Sequence, residues 1–473
     1  MEILQKKGID AYPSSTSRTH TIAEAIAGFD DLSRDNVPVL MAGRIMALRG
    51  QGALLFVDFD DGTGRFQALL KRDDMEEAIF DLFSETVDIG DFIGFHGMLF
   101  ITKRGQQSVR VENWEMLSKS LRPLPDKWHG LKDEEERFRK RYLDILFSPD
   151  VRVMIEKKTK FWDVTREFMK EKGFLEVETP TLELTTGGAE ARPFQTHHND
   201  FDIDVYLRIS VGELWQKRLM AAGFPKTFEI GRIYRNEGSS PNHLQEFTNM
   251  EFYWAYADYK DGMALTQELY KRIAEDVFGT TKFTTGEYTY DLSGDWPMID
   301  YREEVKKQTG IDVLSATEDE IKDKLDELKV EYEGENRERL TDTLWKYCRK
   351  HIAGPAFLIN HPRLVSPLAK SIKDNPELTE RFQVLIAGAE VGNGYSELNN
   401  PLEQEKRFKE QQKLIDAGDE EAMMPDWEFV EALEHGIPPT CGFGFGERLF
   451  AFLMNKSVRE CQIFPLMKHK ASN

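Results

Sequence analysis

Arg235, Glu237, Phe247, Glu251 and Tyr253 lie within one stretch of the chain, Phe228 to Tyr256, which reads FEIGRIYRNEGSSPNHLQEFTNMEFYWAY. Two alternating runs flank a loop of turn formers (Gly238, Ser239, Ser240, Pro241, Asn242), a pattern that predicts an antiparallel hairpin. Side chains alternate across a strand, so parity sorts them. Phe228, Ile230, Arg232 and Tyr234 share one face of the first strand, and Met250, Phe252 and Trp254 one face of the second. These are the expected core faces. The opposite faces carry Arg235 and Glu237 on one strand and Phe247, Glu251 and Tyr253 on the other. A planar guanidinium, an aromatic ring and fixed acceptors on one surface suit a nucleotide: Arg for phosphate or carboxylate, Phe for stacking, Glu for an exocyclic amine. A surface hairpin laced with salt bridges satisfies the same alternation.

Other groups with chemistry follow a similar logic. Gly187-Gly188-Ala189 precedes Arg192-Pro193-Phe194, and paired glycines let backbone approach a ligand closely, although a plain turn also uses them. In FQVLIAGAEVGNGYSEL, Glu390, Asn393 and Glu397 surround Gly392 and Gly394. Strict alternation puts Glu390 and Glu397 on opposite faces, so a register break is expected if both serve one site. An ordinary bulged strand with exposed acids has the same composition. PPTCGFGFGERLFAFLMNKSVRECQIFPL reads as strand, glycine-rich turn and helix, with Arg448 at the helix start. It is not a Walker loop, but a helix N-terminus presenting an arginine suits an anion.

These groups need a scaffold. A chain of 473 residues, 40% hydrophobic and 31% charged, can hold two or three domains with ample core. Residues 1–36 read as a helix start and a weakly structured Ser/Thr-rich connector. From Val37 to about Ser118 the pattern is mostly strand, with short turns at Asp60-Asp61-Gly62-Thr63-Gly64 and Lys103-Arg104-Gly105. A helical segment, Met75 to Phe83, follows the third strand. Five strands with a helix between the third and fourth is the order of an OB-fold, a barrel that stacks single-stranded bases on aromatics. Residues 37–120 are therefore the expected barrel, 121–150 a Pro-containing linker, and 151–473 an α+β domain with a helical insertion around 260–350. The insertion's charges read as solvated faces. The net charge of −21 counts against an extended nucleic-acid surface, although local patches decide binding. The basic runs Arg137 to Arg141 and Lys157 to Lys160 are more often helix faces than RNA contacts. The three cysteines lack CxxC spacing, no apolar run approaches a membrane span, and MEILQKKGIDAYP lacks a signal-peptide core, so a cytoplasmic location is expected.

Tyr234-Arg235-Asn236-Glu237, a loop, and a strand from Phe247 resemble motif 2 of the class II aminoacyl-tRNA synthetases. The wording RNEG…H…EFTxMEFYxAYADY is most similar to that of the lysyl-tRNA synthetases. The helix Val151 to Lys172, ended by Gly173 and followed by FLEVETP, resembles motif 1, the dimer element. GFGFGERL resembles motif 3, whose arginine lies against ATP. The resemblance covers most of the chain. It implies an N-terminal OB-fold anticodon-binding barrel, then an antiparallel sheet flanked by helices, a homodimer, and a ligase acting on ATP, L-lysine and tRNA(Lys) with Mg2+.

The resemblance also implies roles. Phe56 and Gln67 match anticodon readers, and the third reader, a glutamate in the family, falls on Asn113 with Glu112 one step away. The lysine site comprises Gly188, Glu213, Arg235, Glu251, Tyr253, Asn393 and Glu397, with Glu213 at the α-amine and Glu397 at the ε-ammonium. Phe247 and Arg448 sandwich adenine, Glu237 takes its amine, and His243 meets the outer phosphates. Arg235 bridges the carboxylate and the α-phosphate, which makes Arg235 and Arg448 the catalytic groups. Glu390 holds Mg2+, and Gln383 stands where the family has a second metal carboxylate. The physical case for Glu397 is that a cationic tail needs a buried carboxylate, whereas an aspartate pocket needs a cation there. Glu397 is therefore expected to have no cation of the protein's own.

The chain departs from the family pattern in three further places. It has one extra residue between Arg208 and Glu213, a motif 3 shorter by one residue, and Leu244-Gln245 where Asn-Pro is usual. The alternatives are an aspartyl- or asparaginyl-type synthetase, a paralogue that attaches lysine to a protein, and an RNA-binding paralogue with an impaired site. Gln383 favours the last; Glu397 and Tyr253 oppose the first.

Overall fold

The computed structural model describes the chain except residues 126–130, 190, 239, 241–242, 333, 335, 420–421 and 470–473. It divides into two units, Met1–Phe147 and Ser148–Asn473.

In the first unit, three short helices precede a barrel: α1 (Glu2–Lys6), α2 (Ile22–Ala27) and α3 (Phe29–Arg34). The expected connector, Pro13 to Thr21, carries no helix or strand, and the last two helices follow it. At six residues each they are too short to show a period, but Thr21 and Glu24 form a capping box at the start of α2. Ile22, Ala25 and Phe29 bury themselves in the barrel core. The strands are β1 (Pro38–Gln51), β2 (Leu54–Asp60), β3 (Arg65–Lys71), β4 (Phe92–Ile101) and β5 (Gln107–Ser118). They close in the order β1-β2-β3-β5-β4, with α4 (Glu77–Thr86) between β3 and β4. Strict alternation on β2 and β3 sends Leu55, Val57, Phe59, Phe66, Ala68 and Leu70 inward. This is the expected OB-fold.

The stretch expected as a linker holds two helices, α5 (Glu134–Arg139) and α6 (Arg141–Phe147). Its basic run is internally neutralised, since Arg137 and Arg141 both engage Asp144 at 2.8 Å.

The second unit opens with α7 (Pro149–Glu171), closed by Gly173 at φ +79. After it come β6 (Leu175–Glu176), β7 (Leu182–Glu183), β8 (Gln195–His198), β9 (Ile203–Leu207) and α8 (Glu213–Ala221). The predicted hairpin is β10 (Lys226–Tyr234) and β11 (Glu246–Ala255), paired from Lys226↔Trp254 to Tyr234↔Glu246. Of its loop, Ser239, Pro241 and Asn242 lie outside the described residues. Helix α9 (Tyr259–Ile273) leads to a small hairpin, β12 (Lys282–Thr285) and β13 (Tyr288–Asp291), and to β14 (Met298–Asp300). Then follow α10 (Tyr301–Thr309), α11 (Glu318–Glu327), α12 (Arg337–Cys348), β15 (Ala356–Pro362), β16 (Ser371–Ile372), β17 (Asn375–Ile386) and β18 (Ala389–Ser396). The chain ends with α13 (Pro401–Asp416), α14 (Trp427–Glu434), β19 (Thr440–Gly446) and α15 (Arg448–Leu453).

The main sheet runs β14-β15-β17-β18-β19-β11-β10-β6, antiparallel through its centre and parallel at both edges. The edge pairs add parallel neighbours to the expected antiparallel sheet. On one face Phe228, Met250, Phe252, Phe382, Phe443 and Phe445 are buried, and the rings of Phe382 and Phe443 stack at 5.5 Å. The expected core face holds for Phe228, Met250 and Phe252, but Arg232 near the end of β10 is exposed. Helix α9 belongs to this core rather than to an insertion: a Cβ on its Gly262 would lie 2.4 Å from Cys441 Sγ, so only glycine permits that approach. The α10–α12 group forms its own core around Tyr301, Ile321, Leu340 and Trp345. The opposite face of the sheet carries the site.

Candidate active site

Adjacency of β10, β11, β19 and β18 brings together residues more than two hundred positions apart. A cleft of about 230 Å³ is walled by Arg235, Glu237, His243 and Phe247 from the hairpin and by Glu390 and Arg448. Its floor is β19. The FGFG run is not a turn, as read from the sequence, but a strand paired on both sides. Gly442, Gly444 and Gly446 face the site while Phe443 and Phe445 face the core. A Cβ on Gly446 would lie 2.2 Å from Asn249 Oδ1 and one on Gly444 2.7 Å from Glu251 Cγ, so the glycines clear the floor.

Arg235 is half-buried and forms no ion pair among the described residues. Its hydrogen bonds are two long ones, 3.4 Å each, to the carbonyl of Ile209, and its guanidinium stands 5.5 Å from the Phe247 ring centre. Burial lowers its pKa, against the pull of Glu237 and Glu251. A desolvated guanidinium without a carboxylate is a demand for an anionic ligand. Arg448 donates to the Glu390 carbonyl at 3.3 Å, and burial with Arg349 nearby lowers its pKa. His243 Nδ1 lies 2.8 Å from Ser240 Oγ, and burial and Arg448 hold the ring below its ordinary pKa.

A second cavity, of about 330 Å³, shares Arg235, Glu390 and Asn393 with the first and continues past Gly188, Arg381 and Tyr395. The expected register break brings these β18 residues together: Val384 pairs with Gly392 and Leu385 with Glu390, so Val391 is a bulge. Arg381, which the sequence reading missed, donates to Asn393 Oδ1 at 2.8 Å and fixes that amide. Gly188 at φ +88 packs on Glu213 so closely that a Cβ would lie 2.5 Å from Oε2.

Beneath this cavity lies a buried charge cluster. Glu213, Glu397 and Tyr253 are each at most 5% exposed, and Glu251 is 8% exposed. Glu397 is not among the residues lining either cavity, and it has a cation of the protein's own. Lys217 Nζ lies 2.6 Å from Glu397 and 2.7 Å from Glu213. This corrects the expectation of an unaccompanied Glu397. Lys217 sits one turn after Glu213 on α8, a spacing at which the two side chains must meet, so it could have been anticipated. Three acidic groups, Glu213, Glu251 and Glu397, nevertheless share this one ammonium. Burial, reinforced by Glu213, raises the pKa of Glu397 despite Lys217, and raises that of Glu251. Tyr395 Oη donates to Glu213, Tyr253 Oη to Glu251 at 3.2 Å, and Val211 N–H to Glu251 at 2.7 Å. A second cation arriving there would be met by carboxyls able to ionise.

The wall proposed for Mg2+ reads differently. Glu390 Oε1 accepts from Trp345 Nε1 at 3.0 Å and pairs with Arg349 at 2.8 Å, while Oε2 accepts from Gln383 Nε2 at 2.9 Å. Gln383 Oε1 in turn accepts from His361 Nε2 at 3.1 Å; His361 is buried, which pushes its pKa down to about 3 and keeps it neutral. A neutral amide suits this relay, because it accepts from His361 and donates to Glu390 at once, which an ionised carboxylate cannot do. Although burial raises it, Arg349 and Arg381 hold Glu390 below the ordinary carboxylate range. No group of three metal-ligating side chains occurs among the described residues. With both oxygens of Glu390 engaged and the amide of Gln383 in the place of a second carboxylate, these residues make no preformed divalent-ion site, contrary to the expectation. Trp345 and Arg349 come from α12 and the turn after it, so the helical insertion is part of the site rather than a set of solvated faces.

In the barrel, Phe56 and Gln67 are half-buried neighbours on the outer surface of β2 and β3, lining a groove with Arg49, Lys103 and Arg104. Phe56 is thus not a core aromatic. Asn113 does not join them. Gly97 pairs with Val111 and His96 with Asn113, so Glu112 is a bulge. Asn113 lies beyond it, its Oδ1 accepting from the backbone N–H of Trp114 at 2.9 Å. The β5 positions beside Gln67 and Leu69 are Ser108 and Arg110, and Ser108 donates to Gln67 at 3.0 Å.

Residues 133–468 match the family model of class II tRNA synthetases (D, K and N), and residues 39–117 that of the OB-fold nucleic acid binding domain. The chain is 44% identical over 473 residues to the lysine--tRNA ligase of Thermotoga sp. (strain RQ2), covering 99% of this chain and 94% of that protein. The lysine--tRNA ligase of Roseiflexus sp. (strain RS-1) is 44% identical over 474 residues, 99% of this chain and 97% of the relative. That of Pelotomaculum thermopropionicum is 43% identical over 478 residues, 98% and 92%. Full-length similarity of this degree, on an OB barrel followed by a sheet with an anion-seeking arginine and an acidic pocket, places the chain in the lysine--tRNA ligase family of class II synthetases.

Proposed function

We propose that the chain activates L-lysine with ATP and transfers the lysyl group to the 3′ end of tRNA(Lys). The observation that carries the assignment of roles is Arg235, a half-buried guanidinium without a carboxylate where the two cavities join. ATP fits the cleft floored by Gly444 and Gly446, with adenine between Phe247 and Arg448 and its amine toward Glu237. Lysine fits the second cavity, its α-ammonium toward Glu213 beside Gly188 and its tail toward Glu397, Glu251 and Tyr253.

An oxygen of the lysine carboxylate attacks the α-phosphorus, the bond to the β-phosphate oxygen breaks, and pyrophosphate leaves. The terminal ribose hydroxyl of tRNA then attacks the carbonyl carbon, losing its proton, and AMP departs. A carboxylate is already a nucleophile, so catalysis is alignment and charge neutralisation. Arg235 spans the carboxylate and the α-phosphate, His243 meets the outer phosphates, and Asn393, held by Arg381, orients the amino acid. A divalent ion arriving with ATP finds no carboxylate pair on this wall. The groove at Phe56 and Gln67 takes anticodon bases by stacking and edge contacts, with Ser108 and Arg110 in the place intended for Asn113.

A homodimer through α7 and β6 is supported by Leu175, Leu182 and Leu184, which are 49%, 51% and 63% exposed beside motif 1; sedimentation of a Leu182→Asp variant tests it. No helix among the described residues is long and apolar enough to cross a membrane, and three free buried cysteines fit a reducing cytoplasm. The deciding experiment is ATP–pyrophosphate exchange across a panel of amino acids. Lysine alone should support it; exchange with aspartate or asparagine instead would overturn the assignment.

A further inference from the structure

The charge cluster below Asn393 has the composition of a receptor for an alkylammonium, and its occupant is part of the chain. Lys217 Nζ contacts Glu213 and Glu397, and the rings of Tyr253, Tyr395 and Phe429 stand around it with centres 5.9, 5.3 and 5.8 Å away. Two carboxylates and three aromatic faces select an ammonium over a neutral group. The side chain held there is the side chain of the amino acid that the enzyme activates.

The two carboxylates are not held alike. Glu213 Oε1 receives a directed hydrogen bond from Lys217 at 2.7 Å. Glu397 Oε2 is as close, at 2.6 Å, but lies off the line of a well-directed hydrogen bond. Glu213, one turn earlier on α8, is the firm partner, and Glu397 has an acceptor left to offer.

We infer that Lys217 is a displaceable self-ligand: in the empty pocket its ammonium fills the cage, and the tail of substrate lysine takes Glu397 from it while Lys217 remains on Glu213. The inference rests on the proposed placement of the substrate tail at Glu397. Charge counting agrees with it. Glu213, Glu251 and Glu397 offer three acidic groups to a single ammonium, and the carboxyls of Glu251 and Glu397, raised by burial, can release their protons as the two ammonium groups of lysine arrive, so Lys217 need not leave. An amino acid without a cationic tail cannot make the exchange, so self-occupation screens substrates before chemistry at some cost in affinity.

Lys217→Met keeps an unbranched side chain one atom shorter and removes the charge. Its KM for lysine in ATP–pyrophosphate exchange should fall roughly tenfold, the factor recovered if the cage is free about a tenth of the time, with KM for ATP unchanged. 2-Aminoheptanoic acid, which has a methyl in place of the ammonium, should gain activity with this variant. Lys217→Arg keeps the charge in a larger group, and its KM for lysine should rise by a similar factor. A higher or unchanged KM for lysine in Lys217→Met overturns the inference and makes Lys217 a purely structural counter-ion. If Lys217→Met does not fold, Lys217→Arg decides, since an unchanged KM there refutes displacement. Glu397→Gln separates the two levels: a normal KM for lysine in that variant sinks the placement of the tail itself.

Discussion

Gln383→Glu tests most directly how this site handles charge. Gln383 is 5% exposed and donates to Glu390 Oε2 at 2.9 Å while accepting from His361 at 3.1 Å. The substitution keeps the shape and the His361 hydrogen bond, but sets a second carboxylate against Glu390. Losing a hydrogen bond to a charged acceptor costs about 1.5–3 kcal/mol. Two unit charges about 3 Å apart repel by roughly 5 kcal/mol at an effective dielectric of 20, most of which a shared proton relieves. A net loss of about 2–4 kcal/mol at pH 8 is therefore expected, roughly 3–6 °C in Tm for a domain of this size. The new carboxylate has a raised pKa in the folded state, so the loss is present above the ordinary carboxylate range and shrinks as pH falls through the raised value. The paired carboxylates are also a new divalent-ion site, so Mn2+ should restore the Tm of the variant and leave the parent unmoved. Calorimetry in EDTA and in MnCl2, without ATP, measures both effects. If the variant melts like the parent at pH 8, or the parent gains equally from Mn2+, the account of this wall is wrong.

Arg235→Ala should lower ATP–pyrophosphate exchange by about 10²–10³-fold, the usual effect of losing one preorganised donor at a developing charge, and an unaffected rate refutes its role. Burial raises Glu397 to about 8, so the empty fold binds protons there that the unfolded chain does not. Stability of the lysine-free enzyme should then decline as pH rises from about 5 to 8, and lysine should restore it with release of protons. Tm against pH, with and without lysine, and calorimetric titration in buffers of different ionisation enthalpy measure this; a pH-independent Tm in both series counts against it. Phe56→Ala should weaken tRNA charging by about 1–3 kcal/mol of lost stacking and leave lysine-dependent exchange intact. A parallel loss of exchange means the variant has damaged more than the groove.

Much of the site was legible because strand parity is local. Residues 228–256 alternate, so the chain itself dictates that Arg235, Phe247, Glu251 and Tyr253 share a face once the hairpin closes. The OB barrel was legible for the same reason, strand by strand. The Val391 bulge was anticipated only as a necessity, because Glu390 and Glu397 had to meet. The FGFG strand was misread as a turn: glycine lowers strand propensity, and only pairing with β11 and β18 makes an alternating glycine face a floor.

What the sequence determined alone is the inventory and its local order: which strand carries the arginine, which the glutamates, and which amide replaces a carboxylate. Tertiary structure decided which charges meet. Lys217 closing on Glu397, Arg349 on Glu390 and Arg381 on Asn393 join residues from 12 to 180 positions apart. Parity says nothing about such pairs, because in a buried pocket the partner of a charge is set by whichever opposite charge the packing leaves within reach.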